Sequence, residues 1–328
     1  MSVDLSVTVA GVELKNPVVA GSGEATASGE AIRAAVDAGA AAVVAKSTNE
    51  SQAAKEQLRA AEYVLLDENL DPLPWGPAPR SASLFCRSGL VDEPWERWLE
   101  TLAEADAYAR ARDAYVVPSL IVADAGEAAR MAREAEEVGV RWLELNVAAP
   151  HAEEAAEGAI RTEVELVAPI REAVSIPLTV KVRPHQVDAA LAAGADAICL
   201  TTRELAFVPD LATRRPLLGT FAAIGGSWTL PLTLRHVAKA RLRHGPAVSL
   251  LATNGVRDGR DVARCLLAGA SAAQLTSAVM TDGPAALARA LEDLEEYLAG
   301  QGATARDLVG EAADHVMTYE EVAVERRH

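Results

Sequence analysis

The stretch ATNGVRDGRDVARCLLAGASAAQLTSAV, residues 252–279, decides the fold. It leaves a continuously apolar run, Val248–Ala252, and crosses a polar turn at Asn254-Gly255. A segment of helical period follows over Arg260–Ala268, and then a second apolar run over Ala272–Thr276. Two strands too apolar to carry a wet face, joined by a helix, make a βαβ unit of a parallel sheet covered on both sides. The glycine of LAGA (267–270) suits the left-handed position that closes a helix before the next strand.

The same rhythm runs along the chain. Short β-branched runs at Pro17–Ala20, Ala42–Lys46, Tyr115–Val122, Trp142–Val147, Leu178–Val182 and Ala197–Thr201 bring the strands to eight. Helical stretches include Glu30–Ala38, Gly126–Val138, Thr162–Val174, Val187–Ala193, Leu230–Arg243 and Pro284–Leu298. Phrases like LAGA recur as DAGA (37–40), EVGV (137–140) and AAGA (192–195). The fold class is therefore α/β, a single (β/α)8 TIM barrel over residues 1–310. A small N-terminal hairpin, Leu5–Val9 with Val12–Leu14, should cap its bottom. Residues 51–100 and 203–228 read as long, irregular top-face loops, and long loops in a compact fold are usually functional. Residues 311–328 read as a charged tail to which no role is assigned.

With 31 basic and 47 acidic residues in 328, the net charge of −16 argues against nucleic acid or an anionic membrane as partner. No apolar run is long enough to span a membrane or to open a leader, so a cytoplasmic protein is expected. Cys86, Cys199 and Cys265 form no CxxC pair, and the histidines show no metal spacing, so neither disulfides nor a metal is expected.

In such barrels chemistry sits where the strands end. The exits are Ala20-Gly21-Ser22-Gly23, Lys46-Ser47, Asn146, Lys181, Thr201-Thr202, Asn254-Gly255 and Thr276-Ser277. Small residues with amide, hydroxyl and ammonium groups suit a planar polar cofactor that carries a phosphate.

Across residues 10–310 the phrases LKNPVVAGSG (14–23), VVAKST (43–48), ELNVAAPH (144–151), PLTVKVRP (177–184) and RPLLGTFAAIGG (215–226) fall in order with the opening stretch. Together they resemble the dihydroorotate dehydrogenase family and the related domain of dihydropyrimidine dehydrogenase. The resemblance implies FMN. By motif, Ala20, Gly21 and Ser22 would line the isoalloxazine, and Lys46, Ser47, Asn146 and Thr201 would reach its edge. Lys181 would bond the N1–C2=O side, where a cation stabilises the charge of reduced flavin. Gly225, Gly226, Asn254, Gly255, Thr276 and Ser277 would surround the phosphate, glycines permitting close backbone approach.

The chain departs from the family at the catalytic base. Where the family carries a cysteine or serine that takes the substrate's C5 proton, this chain has Ala149, which has no atom to accept one. General-base assistance contributes about 10²–10⁴ in rate, so another group must serve. Cys86, beside Arg87 in SLFCRSG, is the first candidate because a neighbouring cation lowers a thiol's pKa. His151 is the second, Ser88 the third and solvent water the fourth. Substrate contacts fall to Lys46, Ser83, Arg87, Asn146, His151, Thr201 and Thr202. Asparagines that embrace a pyrimidine in the family are here largely exchanged, which argues for a substrate other than dihydroorotate.

The expected activity is hydride transfer between flavin N5 and a carbon of a small polar substrate, cyclic or unsaturated. A separate electron acceptor is needed, and family precedent suggests a homodimer. Two rival readings stand beside it. One is a non-catalytic flavin- or phosphate-binding homologue; the other is a flavin-independent lyase using Lys181 as a Schiff base.

Overall fold

A computed structural model describes residues 3–149 and 163–325. Its central feature is a parallel sheet in which Val18–Ala20, Ala42–Val44, Tyr115–Leu120, Leu143–Asn146, Leu178–Lys181, Ala197–Leu200, Ser249–Ala252 and Ala272–Leu275 follow in chain order. The eighth strand pairs the first, Ala273 opposite Val18. The third strand is divided at Pro118, which has no N–H to donate. Its first part, Tyr115–Val117, pairs the second strand, and its second part, Ser119–Leu120, pairs the fourth. The circle is thus closed, and the chain is a TIM barrel.

The helices follow the periodic segments, with ends displaced by a few residues: Gly29–Asp37, Ala125–Glu137, Val167–Ala173, Val187–Ala192, Leu230–His244, Gly259–Leu267 and Ala285–Gln301. Gly39, Gly139, Gly194 and Gly269 all take φ between 95° and 106°, the left-handed closure that the repeated phrase implied. The hairpin is Val7–Val9 with Val12–Leu14, turned through Ala10 and Gly11, both at positive φ. Its Ala10 N–H donates to the Ser249 hydroxyl at 2.8 Å, and Ser249 begins the seventh strand. The hairpin therefore covers the bottom of the barrel. Gly310 and Ala312 donate to the carbonyls of Leu266 and Leu267, so the start of the tail docks on the outer helices.

The long loops are more ordered than their sequence suggested. Residues 204–206, 222–226, 83–87, 62–66 and 72–73 form a five-stranded antiparallel sheet in that order. A short helix, Gln52–Gln57, opens the first insertion, and a longer one, Trp95–Arg110, begins at its end. This sheet has its own small core of Leu66, Phe85, Val208, Leu218 and Ala222 and roofs the carboxyl ends of the barrel strands. Arg80, from the same insertion, ties it down by bonding Asp261 at 2.9 Å.

Candidate functional site

Barrel strands and roof border a cleft that opens to solvent and measures about 1020 Å³ with that open space included. Ser22, Lys46, Ser47, Asn146, Lys181, Thr201, Thr202, Gly225, Asn254, Gly255, Thr276 and Ser277 all line it. Asn146 and Lys181 are register partners on adjacent strands. The Asn146 side-chain Oδ1 accepts from the Ala148 N–H at 3.0 Å, while the Lys181 ammonium has no partner among the described residues.

Near the far end, Asn254 at φ +74° donates to the Thr202 carbonyl at 3.0 Å. Gly255 follows at φ +93°, where a Cβ would stand 2.5 Å from the Leu230 nitrogen. Neither backbone conformation nor space admits a side chain there, so the chain can pass close to a ligand.

Several expected residues stand elsewhere. Ala20 is buried in the first strand, and Gly21 donates to the Leu275 carbonyl with Thr276 Oγ1 filling the place of its missing side chain. Gly226 faces a smaller neighbouring cavity. Ser83 is taken up by the Trp228 indole N–H at 2.8 Å, and Arg87 pairs with Glu62 at 2.7 Å, so neither contributes to the cleft wall. His151 lies outside the described residues.

Cys86 also needs correction. It points away from solvent inside the roof, and burial pushes its thiol pKa up despite the nearby cations. The guanidinium bonded to its Sγ belongs to Arg203, not Arg87. A thiol in that setting is protonated at neutral pH, the reverse of the activated group that the sequence suggested. Around Ala149 the surroundings are apolar: Ile121, Leu58 and Leu90 pack with it and share its stretch of cleft wall.

Two charged residues that sequence reasoning passed over enter the cleft. Glu24, one residue beyond the AGSG phrase, holds the Lys46 ammonium at 2.6 Å. Arg203 follows the Thr201-Thr202 exit, bonds Cys86 and reaches Ser88 Oγ at 3.3 Å. Beneath them runs a polar chain. Ser22 Oγ lies 3.2 Å from Ser47 Oγ, which lies 2.9 Å from Ser119 Oγ. The Ser119 hydroxyl donates to Glu144 at 3.1 Å, and the Gln274 amide donates to the other Glu144 oxygen at 2.9 Å. A charge set directly after a strand exit was the available signal for Glu24 and Arg203. Glu144 gave one too, as a carboxylate inside an otherwise apolar strand.

Residues 77–298, more than half of the chain, match the dihydroorotate dehydrogenase family model. The chain belongs to the dihydroorotate dehydrogenase family. It is similar to the dihydroorotate dehydrogenase B (NAD(+)) catalytic subunit of Desulforudis audaxviator, with 30% identity over 95% of this chain and 98% of that protein. The like-named proteins of Methanothermobacter thermautotrophicus and Pyrococcus abyssi are 27% and 28% identical. They cover 94% and 93% of this chain and are themselves covered to 99% and 98%. The dihydroorotate dehydrogenase family resemblance stated from sequence therefore stands. Among the described residues of this family member, no helix is long and apolar enough to cross a membrane.

Proposed function

We propose that this chain is an FMN-dependent oxidoreductase that exchanges a hydride with a carbon of a small cyclic or unsaturated substrate. The observation that carries this reading is the Lys181 ammonium, which stands beside Asn146 in the cleft and has no partner among the described residues. FMN, when bound, supplies a two-electron acceptor and donor at N5. The residues fit it in kind. Lys181 would bond the N1–C2=O side and stabilise negative charge there. Ser22, Ser47 and Asn146 would meet the ring's polar edge, and Gly225, Asn254, Gly255, Thr276 and Ser277 would hold the phosphate.

Proton movement takes a different route from the family's. Among the described residues the Ala149 wall offers no acceptor and Cys86 is sealed away, whereas Ser88 lines a cleft that is open to solvent. Delivery of a proton from water suits reduction of an activated double bond. The exchange of pyrimidine-binding asparagines supports a substrate other than dihydroorotate. The relatives are named catalytic subunits, which supports an electron-transfer partner protein for this chain as well.

Fluorescence titration of the flavin-stripped chain tests the proposal. FMN should be quenched to a stoichiometric end point and riboflavin, lacking the phosphate, should bind at least tenfold more weakly. Absence of FMN quenching would sink it.

A further inference from the structure

Among the described residues, the cations that line the cleft are Lys46, Lys181 and Arg203. Lys46 is neutralised by Glu24, and the reading above gives Lys181 to the flavin. Arg203 remains. Its side-chain bonds run to Cys86 and Ser88, both uncharged, and Glu24 acts on it only at longer range while bonded to Lys46. A guanidinium keeps its charge in any protein. Half-buried on the cleft wall with uncharged hydrogen-bond partners, Arg203 retains its charge and spare N–H donors for an anion in the cleft. Its bonds point into the roof at Cys86 and Ser88, whereas Thr276 and Ser277 follow the eighth strand. That direction suits a substrate group under the roof better than a cofactor phosphate.

The other half of the observation is apolar. From the exits of the third and fourth strands, Ile121 and Ala149 join Leu58 and Leu90 in a continuous hydrophobic wall. A dihydropyrimidine, with N–H or C=O groups around most of its ring, would leave some of them unpaired there, and such losses are large.

We infer that Arg203 is a specificity-determining residue that holds a carboxylate of the substrate, whose remaining flank is apolar and faces Leu58, Leu90, Ile121 and Ala149. This rests on the oxidoreductase reading of the cleft. It narrows the substrate class to apolar-flanked unsaturated carboxylates, with the guanidinium fork matching the two carboxylate oxygens.

Calorimetric titration of the protein as purified, with trans-2-hexenoate, its amide and orotate as probes, tests this. The acid should bind about tenfold to a hundredfold more tightly than the amide, the range of a charge-assisted hydrogen-bond pair. Arg203→Gln should remove that preference without changing FMN content. Arg203→Lys should retain only part of it, and this variant alone decides the matter where Arg203→Gln does not fold. Equal or absent binding of acid and amide, an undiminished preference in either variant, or orotate binding more tightly than the hexenoate would overturn the inference. Loss of FMN from Arg203→Gln with retention in Arg203→Lys would also overturn it, by making Arg203 a cofactor-phosphate ligand. FMN content is scored separately from the acid preference, so a flavin-free protein that still prefers the acid contradicts the preceding reading alone.

Discussion

The Lys46 ammonium meets the Glu24 carboxylate at 2.6 Å inside the cleft, with Lys46 buried and Glu24 about one-third exposed. Burial pulls the Lys46 pKa down, and the facing carboxylate opposes that pull. Between the lowered native pKa and the unfolded value, the unfolded chain binds more protons, so this lysine makes stability rise with pH across that window.

Glu24→Gln keeps the shape and removes the charge. It should cost roughly 1–3 kcal/mol at pH 7, less than a fully buried pair would because Glu24 is partly solvated. The deficit should shrink as pH rises through the native Lys46 pKa, since a neutral amine no longer needs the carboxylate. Urea unfolding of both proteins at pH 7 and pH 10 measures it, and a deficit that grows with pH would contradict the assignment.

All three thiols are buried, and burial raises the pKa of each. The native protein at pH 8 should therefore react only slowly with a disulfide reagent that consumes thiolates, and the unfolded chain should react promptly at all three. Rapid native labelling of Cys86 would restore it as a proton-transfer candidate.

The strands were legible because runs such as Leu178–Val182 are covered on both faces and leave little alternative to a parallel sheet. Gly39, Gly139, Gly194 and Gly269 were legible because the left-handed conformation that closes those four helices favours glycine. The roof sheet was not. Its strand 83–87 pairs 222–226 across nearly half the chain, and short strands with distant partners leave no local period. Cys86 was misjudged for a related reason: adjacency in sequence named Arg87, whereas the fold delivered Arg203. Lys46, Asn146 and Lys181 were legible as cleft residues because strand ends in a barrel converge whatever the loops do.

Glu144 is almost completely buried and accepts from Ser119 and Gln274. Glu144→Ala should strand both donors and open a cavity, costing about 2–4 kcal/mol in denaturant unfolding. It should also loosen the serine chain that ends at Ser22 on the cleft. A loss below about 0.5 kcal/mol would show that the network contributes little.

Lys181→Met keeps the stem of the side chain and removes the ammonium. The folded protein should remain, because Lys181 has no hydrogen-bond or ion-pair partner to lose among the described residues. Flavin retention should fall, or flavin reduction should slow by about 10²–10³, the usual loss of a preorganised electrostatic partner. Stopped-flow reduction of the variant measures this, and wild-type flavin content with wild-type reduction would remove Lys181 from the cofactor site.

The most direct measurement is an anaerobic visible spectrum of the purified protein, taken before and after dihydroorotate and then after dithionite. The account expects flavin bands that persist with dihydroorotate, because Ala149 and its apolar neighbours replace the family's base, and that bleach with dithionite. A colourless protein that takes up no FMN, or bands bleached promptly by dihydroorotate, would contradict it.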